Sequence, residues 1–81
     1  MKFCILYDPD KPLLAERMFE ETVKHKEMIK EVCDFWVGTT KGSSKAISFW
    51  LKKLEKEVEI VDWKLLEPFE KDHAVFVCKK S

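Results

Sequence analysis

Eighty-one residues, 46% apolar and 37% charged with fifteen basic side chains balancing fifteen acidic ones, place the chain among soluble globular proteins and make a single domain (residues 1–81). That composition excludes a disordered chain. Apolar runs such as Phe3 to Tyr7 fall far short of the roughly 20 residues that span a bilayer, so no membrane role is expected. Met1-Lys2 followed by five apolar residues begins like a secretory leader. Asp8-Pro9-Asp10 ends that run before an apolar h-region is reached, and a cytoplasmic location is expected.

The charged set has a particular make-up: fourteen Lys, one Arg (Arg17), ten Glu and five Asp, with no Asn or Gln. Enrichment in Lys and Glu with loss of thermolabile amides follows the trend of hyperthermophile proteins, so a thermophile source is expected. Cys4, Cys33 and Cys78 lie in apolar segments without CxxC or Cys/His spacing, which argues against a zinc site. Free buried thiols are expected, although a hyperthermophile interior tolerates disulfides.

In chain order, Phe3 to Tyr7 is a continuous apolar run bounded by Asp-Pro-Asp and reads as a buried strand. Asp10 can cap a helix that accepts Pro12 in its first turn, with Leu13, Leu14, Met18, Phe19, Thr22 and Val23 at helical spacing. The pattern lapses over Lys24 to Glu27 and resumes at Met28, Ile29, Val32, Cys33 and Trp36, which predicts a second helix or a continuation of the first. A competing reading makes Val32 to Thr40 a strand, because that segment is rich in β-branched and aromatic residues. Gly38 to Ser44 holds the only two glycines and reads as a turn. Ser43 or Ser44 then caps a helix over residues 43–57, with Ala46, Ile47, Trp50, Leu51, Leu54 and Val58 as its apolar stripe. Val58 to Leu66 and Ala74 to Cys78 read as two strands of a hairpin, joined across Glu67-Pro68-Phe69-Glu70-Lys71-Asp72.

No segment presents catalytic chemistry. His25 and His73 have no nucleophile or metal partner at a useful spacing, and the Gly-Thr-Thr-Lys-Gly-Ser-Ser loop departs from the G-x-x-x-x-G-K-[ST] phosphate loop. A non-enzymatic protein without cofactor or metal is expected. Residues 41–56 hold five Lys against one Glu, whereas residues 57–72 hold six acids against two Lys, so positive charge concentrates on the Ser-capped helix.

The stretch Gly42-Ser43-Ser44-Lys45 through Leu51-Lys52-Lys53-Leu54-Glu55-Lys56 to Ile60 resembles the recognition unit of winged helix-turn-helix DNA-binding domains. The resemblance covers residues 26–60 and, with the hairpin, extends to residue 80. It implies an α+β, winged-helix-like fold ordered β-α-α-α-β-β, with the N-terminal strand joining the C-terminal hairpin; a ferredoxin-like or other βαβ arrangement is the alternative. It also implies that Lys45, Ser48, Phe49, Lys52 and Lys53 face the major groove, with Thr39, Thr40, Lys41 and Ser43 near phosphate. Without Asn or Gln, and with its one Arg elsewhere, such a protein would bind DNA with low sequence specificity. The second reading is a protein-interaction module, an inhibitor or accessory protein working as a dimer through Phe49 and Phe69, aromatics on faces otherwise polar.

Overall fold

The computed structural model describes residues 1–66 and 71–80. The first apolar run forms β1 (Phe3–Tyr7), after which the Asp8 carbonyl accepts from the Lys11 amide and the Asp8 carboxylate from the Asp10 amide. Asp10 is therefore part of a turn and caps no helix. Leu13 and Leu14, expected inside the first helix, form the short strand β2 (Leu13–Leu14), and the helix α1 (Ala15–Val32) starts only after them. The cause is non-local: Leu13 pairs with Thr40, whose hydroxyl donates to the Leu13 carbonyl at 2.9 Å.

Helix α1 runs unbroken through Lys24 to Glu27. The apolar lapse there is its wet face, laced by Arg17–Glu21 and Glu21–His25 pairs at i,i+4 and by a Lys26–Glu57 pair. A strand, β3 (Phe35–Lys41), follows it, then helix α2 (Ser44–Leu54) and the strands β4 (Glu59–Leu65) and β5 (His73–Lys79). Two helices and a five-stranded mixed sheet, among the described residues, overturn the expected β-α-α-α-β-β order. Of the segment weighed as a second helix or a continuation of the first, Met28 to Val32 continue α1, and the competing strand reading holds from Phe35 on, where β3 takes Trp36, Gly38 and Thr40 into the sheet centre. The strand order is β1-β3-β5-β4, with β2 paired to the far end of β3. β1 and β3 run parallel around α1 as a βαβ unit, while β5 is antiparallel to both β3 and β4. The N-terminal strand therefore joins β3 and not the hairpin, and the hairpin is sheet rather than wing.

Both helices pack on one side of the sheet. Met18 and Ile29 of α1 and Ile47, Leu51 and Leu54 of α2 meet Trp36, Ala74, Phe76 and Cys78 in a single core. Of the expected α2 stripe, Ile47, Leu51 and Leu54 are fully buried, whereas Ala46 and Trp50 are half-buried at the seam with α1. Phe19 and Trp50 close that seam with ring centroids 5.3 Å apart.

The expectation of three free thiols is overturned. Cys4 and Cys33 are disulfide-bonded with Cα atoms 5.9 Å apart, and Cys78 is buried and free. The βαβ geometry brings the pair together, because Phe3 registers with Phe35 and so carries the C-terminal end of α1 back to the start of β1.

Candidate interaction surface

The residues assigned to DNA do not form one exposed surface. Thr39 and Thr40 are buried in β3 at 3% and 0% exposure, and the Thr40 hydroxyl is already bonded to Leu13. The Ser43 hydroxyl accepts from the Ala46 amide at 3.2 Å, as an N-cap should. Lys45, Lys52 and Phe49 are exposed on α2, Ser48 is half-buried there, and Lys41 is exposed at the end of β3. Lys53 is folded back over the rings of Phe19, Phe49 and Trp50. Of the two aromatics assigned to a partner, Phe49 is 55% exposed and meets Trp50 edge-on, and Phe69 lies outside the described residues.

Among the described residues, the sheet face opposite the helices carries no covering layer. Strand β5 alternates buried Ala74, Phe76 and Cys78 with half-buried Val75, Val77 and Lys79. The ladder places the second set in rows across the sheet. Phe3, Phe35, Lys79 and Glu59 share one row, Ile5, Val37, Val77 and Asp62 the next, and Thr39, Val75 and Lys64 the third. Phe3 stacks on Phe35 with centroids 6.4 Å apart, and Lys79 pairs with Glu59 at 3.0 Å. Ile5 is 71% and Phe3 58% exposed, and a bulge in β4 turns out Val61 as well. Phe3 and Ile5 of β1, Phe35 and Val37 of β3 and Val75 and Val77 of β5 are the apolar side chains of this face, with Thr39 buried beside them; charge lies on β4, Lys79 and Lys41.

A cleft of about 350 Å³ lies between β1 and α1, with Leu6, Leu13, Met28 and Ile29 as apolar wall and Arg17, Glu21 and His25 along its rim. Tyr7 lines it and shares a 2.7 Å hydrogen bond with Thr22, which is fully buried. Burial raises the Tyr7 pKa; the hydrogen bond to Thr22 opposes this, and the charge of Glu21 adds to it. Burial likewise pushes the Cys78 thiol up to about 12. A sulfur so hard to ionise is a poor nucleophile. Among the described residues no group of three His, Cys, Asp or Glu side chains converges as a metal site would require. Among the described residues, too, no helix is long and apolar enough to cross a membrane.

No protein-family model and no curated protein matches this chain. The pointer in the sequence was β5, where Ala74, Val75, Phe76, Val77 and Cys78 are apolar on both faces. Such a strand reads as covered on both sides, and only the topology reveals that one cover is missing.

Proposed function

We propose that this chain is a protein-interaction domain whose working surface is the uncovered sheet face. One observation carries the reading: Phe3, Ile5, Phe35, Val37, Val75 and Val77 lie in adjoining rows with, among the described residues, no helix over them. A sheet with one face to water normally alternates apolar inside and polar outside. A contiguous apolar patch rimmed by charge marks a protein contact. Carbene footprinting tests it, comparing dilute purified protein with the same chain in an extract of the cells that produce it. Protection of Phe35, Val37 and Val77 in the extract is expected; equal labelling in both would overturn the proposal.

The exposed lysines of α2 support a second reading, non-specific attraction to a polyanion. Lys41, Lys45, Lys52 and Lys56 stand on or beside a helix with no acid before Glu55. Binding of this kind would fall steeply with salt and ignore sequence. Titrating a labelled random duplex at low salt decides it, since the combined Lys45→Glu and Lys52→Glu variant should lose whatever affinity the parent chain has.

A further inference from the structure

We propose that the occupant of the uncovered face is a second copy of the chain, related by a two-fold axis that crosses the strands between the Val75 and Val77 rows. This rests on reading the face as an interaction surface. The argument is self-complementarity of charge. On β4, Asp62 belongs to the Val77 row and Lys64 to the Val75 row, and both are exposed. The rows are two residues apart, about 6.7 Å at ordinary strand rise. A two-fold axis midway between them exchanges the rows. Val75 then meets the second copy's Val77, and Asp62 and Lys64 meet Lys64 and Asp62. Every strand crosses its own counterpart, which aligned packing allows with a rotation of about 30° from sheet twist. The Glu59–Lys79 pair, satisfied within its own chain, stays at the rim.

A purely basic partner would leave Lys64 facing like charge, and a purely acidic one would do so for Asp62. Another copy of this face pairs both. The formal net charge of zero removes the long-range repulsion that opposes self-association. Four strands about 4.8 Å apart and about 23 Å long offer roughly 450 Å² of flat sheet per copy. Two copies bury about 900 Å² on that measure, below the standard interface of about 1,600 Å², so the dimer is a weak, concentration-dependent one.

Sedimentation equilibrium of the purified chain from low micromolar to millimolar concentration tests this, with circular dichroism reporting that each variant keeps its fold. The parent should be monomeric when dilute and dimeric when concentrated. Asp62→Lys and Lys64→Asp, each alone, should weaken self-association at least tenfold by placing like charges opposite each other. An equimolar mixture of the two variants should recover the dimer, because each then offers the sign the other lacks. A parent that stays monomeric at millimolar concentration would overturn the inference, and so would single variants that dimerise as the parent does. In the first case, protection of the face in the cell extract would still leave the interaction reading standing, with a different protein as occupant.

Discussion

The Lys53 ammonium lies 4.9 Å from the ring centroid of Trp50 and 5.6 Å from those of Phe19 and Phe49. A residue that the winged-helix resemblance assigns to the major groove thus lies against three aromatic rings at the seam between α1 and α2. Contacts of this kind are worth about 0.5–1 kcal/mol when partly exposed. Lys53→Met should lower stability by about 1 kcal/mol, whereas Lys52→Met, on the outer face one residue away, should change it by less than about 0.5 kcal/mol. Urea unfolding followed by tryptophan fluorescence measures both; equal effects would mean the rings do not hold the charge.

The disulfide makes a larger prediction. Cys4 and Cys33 are 29 residues apart in sequence. Closing a loop of that size in the unfolded chain stabilises the fold by roughly 3–4 kcal/mol on the chain-entropy account. Reduction should therefore shift urea unfolding by about that much, and Cys33→Ser should show the same loss with no further change under reductant. Thiol titration of the unfolded, unreduced chain should find only Cys78.

Local signals place α2, whereas the Asp10 cap and the Gly38 to Ser44 turn, equally local, give way to distant strand pairing. Ser43 and the Ile47, Leu51 and Leu54 spacing are local signals, and the structure has α2 capped by Ser43 with those three residues at its buried face. The start of α1 was misplaced because Leu13 and Leu14 fit a helix as well as a strand, and only pairing with Thr40 and Lys41 decides between them. Thr39 and Thr40 look like loop residues beside Gly38 and Gly42, yet threonine is β-branched and suits a central strand. The uncovered face was invisible for the same reason: an apolar Val75 or Val77 reads as core until the layer meant to cover it is found absent.

Stability should fall on the alkaline side. Tyr7 and Cys78 both have folded pKa values raised by burial, above ordinary values of 10.0 and 9.0. Each group is neutral in the folded state and ionises first in the unfolded chain. Its contribution is therefore complete below the unfolded pKa and is lost as pH rises toward the folded one. The melting temperature should be insensitive to these groups up to about pH 9 and decline from there toward about 12. Cys78→Ala removes the earlier of the two steps, so its decline should begin nearer pH 10. A parent and variant with superimposable alkaline profiles would show that the thiol plays no part.

Gly38 is set by space and not by backbone angle. A Cβ there would lie 2.6 Å from the Phe76 Cζ and 2.7 Å from the Tyr7 Cδ2. Neither ring can move away cheaply. Phe76 is fully buried, and Tyr7 is tethered to Thr22 at 2.7 Å. Overpacking of this kind costs about 1–3 kcal/mol. Gly42 is the opposite case, with no atom nearer than 3.9 Å but a φ of +143° that side chains rarely adopt. Gly38→Ala and Gly42→Ala should therefore both destabilise, and a second substitution separates their causes. Phe76→Leu removes the Phe76 ring atoms that crowd Gly38 and leaves Tyr7 in place, so its cost should be smaller in the Gly38→Ala background than in the parent, a coupling of roughly 1 kcal/mol in a double-mutant cycle. The same cycle with Gly42→Ala should show additivity within about 0.5 kcal/mol. Additivity at Gly38 instead would mean that the Phe76 ring is not what excludes a side chain there.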